Sequence, residues 1–229
     1  MRILFGAVAL AVSLGLPVAA RATTIKVTGS VTAITNDTPS LTLDGSVVVG
    51  TPFTATYTYD PNLVPSGPPP GVLYAPLIAY QVVLGDYILS NPIFAAGGIR
   101  IINNGSPGSF DEYRAGGTSA VLAGSFGGTP SLVGAIFALL DDSSGTAFSS
   151  DALQVPDLSQ FGTTSWQVAA NQDVGEVIHQ LLVTGSISSL TQVPVPEPPT
   201  LSLVAVGALA CLLRLRRRGR RLEHSGGGL

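Results

Sequence analysis

The sequence contains few of the residues on which most active sites and cross-links depend. Its 229 residues include one cysteine, one tryptophan and two histidines, and only 11% of them are charged. A single cysteine excludes a disulfide within the chain, and two histidines exclude a His-rich metal site. Hydrophobic residues make up 45% of the chain, which excludes the composition of a disordered protein. The composition therefore predicts a folded chain with few candidate catalytic or metal-binding residues.

The net charge of −3 is the sum of three segments with different charges. Residues 1–22 carry a charge of +2 and residues 194–229 a charge of +4, and the cationic residues in both are arginines. Residues 23–193 carry a charge of −9, because they include twelve acidic residues and only three cationic ones: Lys26, Arg100 and Arg114. An acidic middle segment argues against nucleic-acid binding. Cationic ends point instead to the orientation of the chain in a membrane.

The first 22 residues have the three-part pattern of a secretory signal peptide. Arg2 gives a positive start, residues 3–16 form an apolar run, and Ala20-Arg21-Ala22 ends the segment with small residues. We expect an N-terminal signal helix that the Sec machinery exports and signal peptidase cleaves between Ala22 and Thr23. Cleavage after Ala20 is the alternative. A helix packed on a core would need polar residues that recur every three or four positions to give it a solvent-facing side, and the run has no such recurrence.

The other end of the chain combines a proline-rich linker, an apolar run and a block of arginines. Residues 194–199 form an extended spacer, and residues 200–215 are the predicted transmembrane helix. The apolar run 201–213 is short for a spanning helix, but counted from Pro198 to Leu215, with the first arginines snorkelling, the segment just spans a bilayer. By the positive-inside rule, residues 216–229 are then a cytoplasmic tail and residues 23–193 lie outside the cytoplasm. Six arginines form the basic stop-transfer block: Arg214, Arg216, Arg217, Arg218, Arg220 and Arg221.

This order of parts resembles the sorting signal of PEP-CTERM proteins. The matching positions are the motif Pro196-Glu197-Pro198, the apolar residues 201–213 and the arginines from Arg214, while residues 222–229 extend beyond the usual end of such tails. The resemblance implies a Gram-negative bacterium and a transient anchor in the inner membrane. It also implies cleavage at the motif by an exosortase, followed by delivery to the cell surface or an exopolysaccharide matrix. A permanent single-pass anchor is the alternative.

Residues 23–193 suit a single all-β domain. The chain holds 27 glycines and 17 prolines, which argues against long helices. Residues 25–33 and 53–59 alternate apolar and polar side chains, as half-buried strands do. Many short strands separated by turns favour an antiparallel β-sandwich or jelly roll. The further predicted strands are 78–84, 87–89, 99–103, 121–125, 132–140, 165–169 and 177–188.

Three segments of the domain have weaker patterns. Asp44-Gly45 predicts a hairpin between strands at 41–43 and 47–49, and residues 62–71 read as a loop outside the sheet. For residues 132–140 a short helix is the alternative to a strand.

A nine-residue segment near the start of the domain recurs near its end. Residues 27–35 and 183–191 are identical at five positions, including Gly29 and Gly185. We expect the two segments to be neighbouring strands paired through these glycines, with both domain ends next to the Pro-Glu-Pro linker. Coincidence in a chain rich in Thr, Val and Gly is the alternative. The second segment, with residues 49–61, also resembles the common β-rich domain of PEP-CTERM proteins, a resemblance that implies no activity.

Candidate catalytic residues are few. His179 is the only histidine between residues 23 and 193, and no Gly-x-Ser-x-Gly motif accompanies it to support a Ser-His-Asp triad. Asp111-Glu112 and Asp141-Asp142 would support a hydrolase only if two carboxyls faced each other across a cleft. We expect the second pair to close a turn, with loose calcium binding as the alternative. No enzymatic activity, resident metal or cofactor is expected.

Aromatic side chains suggest carbohydrate binding as the alternative function. Tyr57 and Tyr59 fall on one face of a predicted strand and are expected in the core. Tyr74 and Tyr113 are the predicted exposed candidates for a sugar platform, and Trp166 is the only tryptophan. The sequence thus predicts an exported, non-catalytic protein of the cell surface or extracellular matrix. A carbohydrate-binding module for exopolysaccharide is the alternative.

Overall fold

The computed structural model describes residues 22–37, 40–67, 71–90, 97–105, 109–174 and 177–194. The strands are β1 (Thr23–Asn36), β2 (Pro52–Tyr59), β3 (Gly71–Tyr74), β4 (Ala79–Leu84), β5 (Tyr87–Ser90), β6 (Gly97–Ile102), β7 (Asp111–Ala123), β8 (Leu132–Asp142), β9 (Thr163–Val174) and β10 (Val177–Val193). A 3₁₀ turn at Leu158–Gln160 is the only helical element in these ranges. The predicted all-β, antiparallel fold is confirmed.

The structure does not describe the two predicted membrane-related helices, apart from Ala22. The signal helix, apart from Ala22, and the transmembrane helix at 200–215 lie outside the described residues, as does the sorting motif. Within the described ranges no helix has the length and apolar character needed to cross a bilayer.

Eight of the strands close into a barrel. Hydrogen-bonded neighbours follow the order β7-β5-β4-β2-β1-β10-β9-β8, and β8 pairs back onto β7. β6 pairs with residues 112–117 of β7, and β3 pairs with β6. The predicted sandwich or jelly roll is therefore wrong, because one continuous sheet closes on itself. Register shifts in β1, β7 and β8 mark bulges, which bend strands and increase their twist, as closure requires.

Several predicted boundaries differ from the observed ones. β3 begins at the last residue of the predicted loop 62–71, and β7 begins ten residues before the predicted strand 121–125. Residues 132–140 lie in strand β8, so the helical alternative is wrong. The segments 41–43 and 47–49 are not strands, although Gly45 does turn the chain with a φ of +89°. Leu41 and Val47 nevertheless fill the core from this loop.

Most aromatic side chains of the described residues lie in the hydrophobic core. All six tyrosines and Trp166 are buried. The hydroxyls of Tyr57 on β2 and Tyr113 on β7, two strands that are not neighbours, form a 2.8 Å hydrogen bond inside the barrel. Burial raises the pKa of both hydroxyls, so both are neutral. The prediction that Tyr74 and Tyr113 are exposed is wrong, because β3 and the first half of β7 are sheet strands that turn these rings inward.

The repeated segments form neighbouring strands, as predicted. β1 pairs with β10 from Thr24 opposite Val193 to Asn36 opposite Leu181. The two glycines are not opposite each other, because Gly29 faces Ile187 and Gly185 faces Val31. When two strands of similar sequence pair in antiparallel orientation, their equivalent residues are related by a local two-fold axis. Here that axis passes near the paired residues Ser30 and Ser186. We call this pairing the seam.

The seam glycines make room for two stacked rings. Phe53 on β2 faces Gly29, and Trp166 on β9 faces Gly185. The two rings stack with centroids 3.9 Å apart and planes within 7°. A Cβ atom at either glycine would collide with a backbone carbonyl of the partner strand, that of Ser186 or Ser30. The repeated glycine is therefore a packing requirement of the barrel interior.

Candidate functional site

A groove of about 450 Å³ lies on the outer face of the barrel, over β6, β7, β8 and β9. Outward positions on neighbouring strands carry glycine here: Gly98 faces Gly116 across β6 and β7, and Gly134 on β8 faces Thr118. Side chains normally cover the outer face of a sheet, so Gly134 leaves backbone open at the bottom of a depression, whereas Leu73 packs close to Gly98 at its edge. We call this depression the glycine groove.

Two arginines stand at one side of the glycine groove. Arg100 on β6 and Arg114 on β7 are register partners, and both side chains are exposed. They are two of the three cationic residues between residues 23 and 193, and the third, Lys26, lies on β1. The remaining lining side chains are polar or aliphatic: Thr118, Gln167, Leu73, Ala135, Ile136 and Ala169.

A carboxyl pair lies on the same face, further along the strands. Glu112 precedes Arg114 by two residues on β7, and its register partner on β8 is Asp141. Burial raises the pKa of Glu112, an effect that Arg100 opposes, and Oε1 of Glu112 has no hydrogen-bond partner among the described residues. Burial also raises the pKa of Asp141. The pair faces outward side by side and does not line the groove.

The other members of the two acidic pairs point inward and hold loops. Asp111 accepts hydrogen bonds from the backbone nitrogens of Asn104 at 2.9 Å and Phe148 at 2.7 Å. Hydrogen bonds to the Asp142 carboxylate, the strongest of them from Ser144, lower its pKa to about 2. Its three backbone donors are Ser144, Thr146 and Ala147, at 2.9, 2.9 and 3.1 Å. The predicted turn after Asp141-Asp142 is confirmed.

His179 lies on β10 beside Asp37, the residue that follows β1. Its Nδ1 lies 3.8 Å from Oδ1 of Asp37, and the same oxygen accepts a 2.6 Å hydrogen bond from the backbone nitrogen of Gln180. In the described ranges no serine hydroxyl bonds to His179, so a Ser-His-Asp arrangement is not brought together there. Nor does that part of the chain gather three or more side chains that could hold a metal ion.

The structure covers only part of the predicted sorting residues. Thr23, after the predicted signal cleavage site at Ala22, opens β1 and pairs with Tyr59. Pro196, Glu197, Pro198 and the six arginines of the tail lie outside the described residues. Sequence reasoning missed the glycine groove. Its sequence signal is the alternation Gly98-x-Arg100 on one strand and Arg114-x-Gly116 on the next, which places both residue types on one face.

No protein-family model, no curated protein and no solved structure matches this chain.

Proposed function

We propose that the chain is the precursor of an exported, non-catalytic protein that acts at the cell surface or in the extracellular matrix of a Gram-negative bacterium. The observation that carries this proposal is the order of parts after residue 193. A Pro-Glu-Pro motif, an apolar run and six arginines follow one another, as in PEP-CTERM proteins. The partners would be the Sec machinery, signal peptidase, an exosortase and, transiently, the inner membrane.

The arrangement of the domain ends supports this proposal. Thr24 lies opposite Val193 at the end of the seam, so described residues close in sequence to the two predicted processing sites are strand neighbours. Cleavage before Thr23 or within the Pro-Glu-Pro motif removes no residue of the ten strands in the described ranges. A released protein would therefore keep its full set of strand pairings and, with them, its stability.

The use of the reactive side chains supports a role without catalysis. The carboxylate oxygens of Asp111 and Asp142 accept hydrogen bonds from backbone amides of loops. His179 lies beside Asp37 at the seam, and the tyrosines are buried in the core. Glu112 and Asp141 face outward side by side, whereas a hydrolase needs two carboxyls facing each other across a substrate cleft.

Carbohydrate binding is the second candidate, but on a different surface from the predicted one. Burial of all six tyrosines and Trp166 removes the aromatic platforms. The glycine groove, with Arg100 and Arg114 beside it, is the surface in the described residues that favours this function.

The sorting proposal is tested in a Gram-negative host that carries an exosortase. The full chain and its Glu197→Ala variant are expressed, and the inner membrane, outer membrane and medium are separated and probed. Glu223→Ala, a change of the same kind beyond the arginines, is the matched control. We expect the parent chain and the control at the cell surface or in the medium, and Glu197→Ala retained in the inner membrane. The same distribution for all three chains would contradict the proposal.

A further inference from the structure

We propose that the glycine groove binds an acidic polysaccharide, whose carboxylate groups pair with Arg100 and Arg114. The inference rests on the proposed function, because a protein outside the cell meets such polymers there. It assigns a ligand class and a position to the second candidate function.

The first argument is the position of the two arginines. As register partners on β6 and β7 they bring two positive charges together, a repulsion that the Glu112 carboxylate on the same face only partly offsets. No hydrogen bond or ion pair to another residue in the described ranges engages either guanidinium. Their planar N–H groups match a carboxylate through two parallel hydrogen bonds. The pair is therefore open to an anionic ligand.

The second argument is the shape of the floor. Gly134 leaves the backbone of β8 uncovered, because a Cβ atom there would meet only the Gly117 carbonyl oxygen at 3.8 Å, so a flat ring can approach the sheet closely at this point. Thr118 and Gln167 line the same groove and offer a hydroxyl and an amide to sugar hydroxyl groups. A sugar ring with a carboxylate at its edge fits this combination of a flat floor, neutral polar groups and a charged side.

The third argument concerns the charge of the ligand. Residues 23–193 carry a net charge of −9, which repels a polymer as densely charged as a nucleic acid. Glu112 and Asp141 lie beyond the arginines on the same face, and Glu112 competes with the ligand for the guanidiniums. An uncharged polysaccharide would leave the arginines without a role. A carboxylated sugar chain has the intermediate charge that this surface favours.

Binding is measured by calorimetry with the full chain in mild detergent. The probes are polygalacturonate, which carries carboxylates, neutral dextran and dextran sulfate. We expect polygalacturonate to bind, dextran not to bind, and dextran sulfate to bind more weakly than polygalacturonate. No binding of polygalacturonate would overturn the proposal, and equal binding of dextran sulfate would overturn the assignment to carboxylates.

Two variants test the position of the site. Arg100→Gln/Arg114→Gln should weaken polygalacturonate binding about tenfold or more, because charged hydrogen bonds are lost. Lys26→Gln, which removes the third cationic residue, is the matched control and should leave binding unchanged. Gly134→Val should also weaken binding about tenfold by filling the floor. Its Cβ would contact only the Gly117 carbonyl oxygen, at 3.8 Å, so the fold is expected to tolerate it.

Each result of these variants bears on the proposal. An equal loss for Lys26→Gln would indicate unspecific attraction, and unchanged binding in Gly134→Val would remove the groove from the site. Far-ultraviolet circular dichroism checks that each variant is folded. The sorting test and this one fail separately. A chain that binds polygalacturonate but stays in the inner membrane contradicts only the export route, and an exported chain that does not bind contradicts only this inference.

Discussion

The seam and the glycine groove use glycine on opposite faces of the same barrel. At the seam, Gly29 and Gly185 face the interior, where Phe53 and Trp166 stack over them. In the groove, glycines face outward and no ring covers them. The same residue thus permits dense packing on one face and leaves an open depression on the other. The register of each strand determines whether a glycine faces the interior or the outer surface, and so which of the two outcomes follows.

Gly185 at the seam and Gly134 in the groove also differ in what the fold requires of them. A side chain at Gly185 would collide with the Ser30 carbonyl and the Trp166 ring. A side chain at Gly134 would meet only the Gly117 carbonyl oxygen, at the ordinary contact distance of 3.8 Å. Packing therefore explains the glycine at the seam but not the one at Gly134.

The largest expected effect comes from removing the ring that covers the seam. Trp166→Ala should lower the free energy of unfolding by about 3–5 kcal/mol, because a buried indole is replaced by a cavity. Leu122→Ala, at an exposed position, is the control and should change it by less than about 0.5 kcal/mol. Urea denaturation followed by circular dichroism measures both. A loss below about 1 kcal/mol for Trp166→Ala would contradict the packing described for the seam.

The same alanine substitution should have different effects at the seam and in the groove. Gly185→Ala should lower the free energy of unfolding by about 1–3 kcal/mol or more, because the backbone must move to admit the methyl group. Gly134→Ala should change it by no more than about 0.5 kcal/mol. Thermal or urea denaturation compares the two. Similar losses for both variants would remove the distinction between Gly185 and Gly134.

The Tyr57–Tyr113 hydrogen bond tests whether the interior is fully enclosed. Tyr57→Phe should cost about 1–3 kcal/mol of unfolding free energy, because the Tyr113 hydroxyl loses its 2.8 Å partner in a buried site. The double variant Tyr57→Phe/Tyr113→Phe should cost less than the single one, since no polar atom is left unpaired. If the double variant lost as much unfolding free energy as the two single variants together, the hydroxyls would be accessible to water and the interior would not be fully enclosed.

The smallest expected effects are pH-dependent and opposite in sign on the two faces. The pKa of Asp142 is about 2 in the folded chain and near 3.8 when unfolded. Its contribution is therefore present above pH 4 and is lost as the pH falls towards 2. The pKa of Glu112 is raised in the folded chain, so this carboxylate destabilises the fold at neutral pH and the cost disappears on acidification.

Unfolding curves between pH 2 and pH 7 separate these two effects. Asp142→Asn should lose stability at neutral pH and differ least from the parent chain near pH 2. Glu112→Gln should gain stability at neutral pH and lose the gain under acidic conditions. The same sign of change for both variants would contradict the environments described for the two carboxylates.

The sequence patterns predict most of the strands, but they do not predict that the sheet closes into a barrel. Alternating side chains predict β1 and β2 directly, and the repeat predicts that β1 and β10 are neighbours. Closure depends on pairing β8 with β7, and the first half of β7 mixes charged residues with glycine and so lacks a clear alternation. Tyr113 was misplaced for the same reason. A strand's inward face cannot be assigned before its pairing is known.

The candidate site was only partly accessible to the same reasoning. The turn at Asp142 could be predicted because its donors follow within five residues. The glycine groove could not, because Arg100 and Arg114 meet only when β6 pairs with β7. Gly134 joins them from β8, a third strand, through a register that no local pattern specifies.

The intact mass of the mature protein, purified from cells that carry an exosortase, tests the central claim most directly. The account predicts a chain that begins at Thr23 and ends near Glu197, within the Pro-Glu-Pro motif. A chain that still contains the tail through Arg221 would be a permanently anchored protein and would contradict the account.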